Sequence, residues 1–552
     1  MNVQKTPQRW IIPLQMSPNS DEASSPMKNA TVTVEAPSDA STANIEDDES
    51  VLLLSQFETS SSPSNDDSGL SFLKSKFQEF LGMEPTADII AIITIYFVEG
   101  ALGLASLAKT YLLKDELNLG PAEMSALMGI FVLPWTIKPL YGFLSDGFPL
   151  FGYRRKSYLV AAGLIGASSY ALLSFEPLWN AMEKTTAISG TVVALLLSSA
   201  CIALSDVVAD GIVVTKTRKA DEEARAMAAA QSENKHDGSV ESSSVAGGLQ
   251  SLCWGSSAVG SLLSAYFSGS LLQVLPVRSI FGITAVMPLL VAGIALQMDE
   301  EPLMRDPQAA ENDKNAVIEK IKDQTSKLWE AFQEPSIWKP TLFLFLWQST
   351  PTADGAFFYF LTNDLNFGPE FMGRVRLLTS VATLVGVWLY NGFFKTVAIK
   401  DILFWSALAS FPLGMIPVLL TTHANQALGI PDQALIYGDD VVLAMLGEIA
   451  FLPCLVLAAR ICPPGVEAVL FATLMSIFNG ASTVGTEIGA ALTKAFGITD
   501  SDFTNLTLLL VLCNVTSLYP LAFLGFLDKV GDMSENDLQS MDQESLATKA
   551  KE

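Results

Sequence analysis

Twelve long apolar runs separated by short polar breaks fill the chain between residues 88 and 527. A helix needs about 20 consecutive apolar residues to cross the hydrocarbon core of a bilayer. The runs near 88–112, 121–145, 155–175, 187–212, 244–270, 278–298, 338–362, 371–395, 400–422, 434–459, 465–493 and 503–527 meet that length. Open backbone in lipid leaves its amides and carbonyls without partners, so each run is restricted to a helix. The pattern predicts an all-α integral membrane protein with twelve transmembrane helices.

Charge refines this reading. Only 16% of residues are charged, although the formal net charge is −25; a soluble chain ordinarily carries about 25%. Most of the acidic excess sits in four polar segments: 1–87, 216–243, 299–336 and 528–552. Residues 1–87, rich in Ser, Pro, Asn and Asp, read as a disordered acidic tail. An acidic balance of this size excludes nucleic acid as a partner, because neutralising phosphates takes clustered Lys and Arg.

Basic residues in short loops set orientation. With the N-terminus inside, the inner loops hold Arg154, Arg155, Lys156, Lys216, Arg218, Lys219, Arg225, Lys235, Lys395, Lys400 and Arg460. The outer loops hold Lys114, Lys184, Arg278 and Lys494. Both tails and the 299–336 linker are then cytoplasmic. The linker separates a first six-helix bundle (88–298, with the polar insert 216–243) from a second (337–527), ahead of an acidic tail (528–552). Six spans, a linker and six spans is the layout of a two-halved transporter. A weak repeat agrees: Gly255-Ser-Ser-Ala-Val-Gly260 in the fifth run matches Gly480-Ala-Ser-Thr-Val-Gly485 in the eleventh.

An ionisable side chain at the bilayer centre costs at least ~2.5 kcal/mol on insertion scales, so each one implies a partner, a wet cavity or a function. In or at the ends of the runs stand Glu99, Lys109, Lys138, Asp146, Asp206, Asp210, Asp354, Arg374, Arg376, Glu448 and Glu487. Asp146 ends the second run just before Arg154 and Arg155 begin the third; such groups can pair across a tight inner loop and act as a gate. Asp206 and Asp210, at i and i+4, share a helix face and, with Glu99, are candidates for proton exchange or counter-ions for Lys138 or Lys109. In the seventh run Pro351 breaks a helix beside Gln348, Thr352 and Asp354, a pointer to a substrate site. Lys138 or Arg374 would serve as the fixed cation for an anionic solute.

Several of these segments together resemble a known family. Pro134-Trp135, Lys138-Pro-Leu-Tyr-Gly-Phe143, Ser145-Asp146, Phe148-Pro-Leu-Phe-Gly-Tyr-Arg-Arg-Lys-Ser-Tyr158 and Asp206-Val-Val-Ala-Asp210 are similar to the folate–biopterin transporters of the major facilitator superfamily. Cys462-Pro-Pro-Gly-Val-Glu-Ala468, with Asn479, resembles the second-half signature. The resemblance implies a proton-coupled carrier of folate- or pterin-like solutes, with Lys138, Asp146, Arg154, Arg155, Asp206 and Asp210 critical for transport. Another organic solute and a non-transporting scaffold are the alternatives.

The five cysteines form no Cys-x-x-Cys pair and there are two histidines, so no metal or other cofactor is expected. No nucleophile–base constellation suggests an enzyme. Which membrane holds the protein is left open. Asp48–Leu53 fits an acidic-dileucine sorting signal, and the acid-free first twenty residues share one trait of transit peptides.

Overall fold

The computed structural model describes residues 86–231, 242–300, 302, 319, 322, 325–461, 467–527 and 531–534, which belong to one compact unit. Almost all of the 1–87 tail, and most of the 299–336 linker and the 528–552 tail, lie outside these residues.

The described chain forms twelve membrane-length helical segments. In order they are α1 (Ala87–Glu116), α2 (Pro121–Ser145), α3 (Lys156–Ser174) and α4 (Lys184–Lys216), then α5 (Ser242–Val274) and α6 (Val277–Ala295). The second half opens with α7, built from Pro335–Gln348 and Asp354–Tyr359 with a π turn at Phe360–Asp364. There follow α8 (Pro369–Phe394), α9 (Ile399–Thr421) and α10 (Asp432–Ala458), α11 (Glu467–Ala495) and α12 (Leu506–Leu527). Nine of these are long and apolar enough to cross a membrane on their own. Of the other three, α5 and α11 are rich in Gly, Ser and Thr, and α7 is interrupted. Large apolar side chains face outward, with Trp405 62% and Val193 62% exposed, as a lipid solvent requires.

One boundary differs from expectation. The fourth run was expected to end near 212, yet its helix continues to Gln231. The stretch Ala220-Asp-Glu-Glu-Ala-Arg-Ala-Met-Ala-Ala-Ala230 consists largely of strong helix formers, so the polar insert begins as helix although it lacks an apolar signature.

The interruptions have identifiable causes. Helix α2 bends at Phe131–Val132 and at Ile137, around Pro134 and Pro139, and α7 opens from Ser349 to Ala353 about Pro351. A proline removes a backbone donor and crowds the preceding turn.

The helices α1 and α7 end alike. Each closes in a π-helical turn, Leu112–Glu116 and Phe360–Asp364. A left-handed Asn follows, Asn118 at φ 49° and Asn366 at φ 54°, then a Gly-Pro step that opens the next helix. The amides of Leu117 and Leu119 donate to the carbonyls of Leu112 and Leu113, and those of Leu365 and Phe367 donate to Phe360 and Leu361. Under these corners lie Leu117-Asn-Leu-Gly-Pro121 and Leu365-Asn-Phe-Gly-Pro369. The first two helices of each half therefore repeat one another.

The halves meet where α5 packs on α8 and α2 on α11. Gly269 and Gly373 let the α5 and α8 backbones touch: a Cβ on Gly269 would lie 2.7 Å from the Gly373 Cα. Gln273 Nε2 donates to Glu370 Oε2 at 2.8 Å, and the Tyr359 hydroxyl donates to the Leu119 carbonyl. One apolar core joins Tyr111, Leu112 and Phe281 of the first half to Phe357, Phe360 and Leu509 of the second. These contacts lie toward the end of the bundle that carries Asn118 and Asn366. At the opposite end the carboxylate of Glu300 caps α3, accepting from the amides of Arg154 (2.8 Å), Arg155 (3.1 Å) and Lys156 (2.7 Å). An acid at a helix N-terminus satisfies otherwise orphaned donors and complements the helix dipole.

Candidate functional site

Helices α2 and α4 supply the central ion pair. Lys138 Nζ lies 2.6 Å from Asp206 Oδ2, and Asp206 is only 1% exposed. The same ammonium stands over the Trp135 ring, 4.8 Å from its centroid. The break at Ile137 starts a new helical turn at Lys138, which directs this side chain inward while Trp135 remains alongside.

One helical turn further along α4, Asp210 Oδ1 accepts from the Tyr96 hydroxyl of α1 at 2.9 Å. The Arg155 guanidinium reaches α4 beside it, with Nη1 2.6 Å from where a Cβ on Gly211 would stand. Glu99 and Asp206 line one small, mostly apolar cavity inside the first half, between α1, α3, α4 and α6.

The second half contributes the broken helix. The unwound Ser349–Ala353 segment lies against α11, where Gly485 and Gly489 leave room for the carbonyls of Thr350 and Thr352. Gln348 is buried. Asn479 of α11 reaches across the seam, its Nδ2 3.5 Å from the Trp135 carbonyl, and Thr483 Oγ1 donates to the Gly129 carbonyl at 3.4 Å.

The sequence candidates thus fall into groups. Lys138, Asp206 and Asn479 converge around Trp135, with Glu99 close to Asp206 and Asp210 further along α4. Gln348 and Asp354 flank the α7 break. Arg374 stands apart from these groups: it is largely exposed and pairs with Glu370 one turn away, at the outer end of the α5–α8 contact. Of the gating set, Arg154 and Arg155 surround Glu300 with their main chain, and the side chain of Asp146 lies outside the described residues.

Sequence reasoning missed Asp439 and Asp440 of α10, which are 3% and 2% exposed. Asp439 Oδ1 and both Asp440 carboxylate oxygens have no hydrogen-bond partner among the described residues. An Asp-Asp pair inside the tenth apolar run was the available signal.

Twelve helices in two halves, with a buried ion pair beside the seam, have the architecture of the major facilitator type. The fold agrees with solved transporters. Nucleoside transporter NupG gives a TM-score of 0.55 at 11% identity, covering 80% of this chain and 100% of that one. The D-xylose–proton symporter gives 0.52 at 13%, covering 81% and 97%. Residues 99–233 and 234–545 match the BT1 family, and the chain belongs to that family of folate–biopterin transporters. The folate-biopterin transporter of Synechocystis sp. is 43% identical over 466 residues, 84% of this chain and 86% of the relative. Folate transporter 2 of Plasmodium falciparum is 31% identical over 438 residues, 79% and 87% respectively. Probable folate-biopterin transporter 2 of Arabidopsis thaliana is 28% identical over 457 residues, 81% and 83%.

Proposed function

We propose that this protein carries folate- or pterin-type solutes across its membrane by alternating access, coupled to protons. The observation that carries this reading is the buried Lys138–Asp206 pair held beside Trp135, where Asn479 of the second half meets the first. Apolar packing and hydrogen bonds join the halves from the Asn118–Asn366 end as far as the Gly129 and Trp135 carbonyls, which meet Thr483 and Asn479. With the basic loops and both termini on the cytoplasmic side, the Asn118–Asn366 end is external.

In this reading Glu99, Asp206 and Asp210 are the coupling carboxylates. Gln348, Asp354 and Asn479 contact the solute around the α7 break. Asp146, Arg154 and Arg155 form the inner gate. The intramembrane charges favour a carrier over a scaffold, since a scaffold gains nothing from holding them in lipid.

The test is uptake of radiolabelled folic acid and biopterin by proteoliposomes holding the full chain, with and without an imposed pH gradient. Accumulation of either solute above protein-free vesicles, enhanced by the gradient, supports the reading. No uptake of either under any gradient overturns it, and gradient-independent uptake removes the coupling.

A further inference from the structure

The helices hold two kinds of cation. Lys138 meets Asp206, Arg278 meets Glu116 at 2.6 Å, Lys216 meets Asp88 and Arg374 meets Glu370. Lys109 of α1 and Arg376 of α8 meet no carboxylate among the described residues. Arg376 lies near enough to act on the Lys109 charge. Lys109 Nζ rests 5.4 Å from the centroid of the Phe131 ring. The Arg376 guanidinium crosses the seam onto α1, its Nη2 3.2 Å from where a Cβ on Gly103 would stand. Gly103 lies at the break in α1, near the middle of its length.

From this juxtaposition we infer that Lys109 and Arg376 form an anion subsite that takes the carboxylate tail of the solute. The inference rests on the transport reading above and narrows its substrate class to carboxylate-bearing pterins. Two like charges held between helices repel, and neither has a counter-ion among the described residues to offset its desolvation. A carboxylate between them relieves both terms at once, and the planar guanidinium offers it two parallel N–H donors. Because one cation comes from each half, a bound carboxylate also links the halves across the seam. A neutral pterin such as biopterin brings no group that gains from the site. The subsite is therefore a discriminator between folates and unconjugated pterins.

The test compares uptake of folic acid and biopterin by full-length wild type, Lys109→Gln, Arg376→Gln and Arg376→Lys in proteoliposomes. Loss of a charge-assisted contact predicts a rise of about tenfold or more in the apparent KM for folic acid in the Gln variants. Biopterin uptake is expected to stay within about twofold, and Arg376→Lys to retain part of the folate affinity, by the same reasoning. Folate and biopterin uptake falling in parallel, or folate uptake unchanged, overturns the subsite. Wild type that carries biopterin but not folic acid overturns the subsite alone; wild type that carries neither overturns the transport reading as well.

A second measurement guards against variants that fold poorly. p-Aminobenzoylglutamate, which holds both carboxylates and no pterin, is expected to raise the thermal midpoint of detergent-solubilised wild type and not of Lys109→Gln. No shift in wild type counts against the subsite.

Discussion

Asn118 and Asn366 hold one pose in the two halves: each is left-handed, and each donates its side-chain amide to the carbonyl two residues back. The Asn118 Nδ2–Glu116 O distance is 3.3 Å and the Asn366 Nδ2–Asp364 O distance is 3.1 Å. Left-handed backbone is disfavoured for most L-residues, and Asn tolerates it through such a local bond. Asn118→Gly and Asn366→Gly are therefore expected to be nearly neutral. Asn118→Val and Asn366→Val should each lose about 1–2 kcal/mol, read from thermal unfolding in detergent. Equal penalties at the two sites are expected from the shared geometry.

The register that aligns these asparagines also aligns Tyr111 with Tyr359, and here the halves differ. The Tyr359 hydroxyl donates to Leu119 across the seam, whereas the buried Tyr111 hydroxyl has no partner among the described residues. Tyr359→Phe removes a bond that seals the Asn118–Asn366 end, worth about 1 kcal/mol or roughly fivefold in a two-state population. Spin labels on Glu123→Cys and Asp500→Cys should report a longer-distance population in Tyr359→Phe. In Tyr111→Phe the distance distribution is expected to be unchanged.

The twelve segments were legible because the bilayer sets a length that apolar runs either meet or miss. The continuation of α4 to Gln231 carries no such signature, only helix propensity. Side-chain direction was harder to read. Arg374 and Arg376 are two residues apart, about 200° around a helix, so one is exposed and pairs with Glu370 while the other turns onto α1. Nothing in a single sequence says which. Lys138 and Asp206 were recognisable as costly charges and candidate counter-ions, but that Asp206 rather than Asp210 or Glu99 meets the ammonium is visible only in the fold. The corner motif shared by Leu117–Pro121 and Leu365–Pro369 was on the page, yet it lies in loops, outside the helical periodicity that guided the search for repeats.

The α7 break depends on α11 having no side chain at Gly489. A Cβ there would overlap the Thr352 carbonyl oxygen, and backbone cannot retreat as a flexible side chain can. Gly489→Ala should therefore cost about 1–3 kcal/mol of stability and abolish transport by displacing Gln348 and Asp354. Gly293→Ala in α6, where a Cβ meets nothing within 4 Å, is the matched control. It should be neutral or gain up to about 1 kcal/mol from helix propensity. Thermal unfolding and folate uptake on the same preparations separate the two outcomes.

The Lys138–Asp206 pair calls for a double-mutant cycle. Lys138→Met strands a carboxylate that is 1% exposed, and Asp206→Leu strands the ammonium. Breaking a buried pair from one side costs about 3–5 kcal/mol, because the remaining charge has lost its compensation. The double variant Lys138→Met/Asp206→Leu leaves no buried charge to compensate and should recover most of that stability, to within about 1–2 kcal/mol of wild type. Uptake should not recover, since the proposed mechanism needs a carboxylate at 206 to take up and release a proton. Single-variant losses that simply add in the double variant would show that the two groups are not coupled. Stability restored together with transport would show the pair to be structural, and coupling would then have to reside in other carboxylates, such as Glu99.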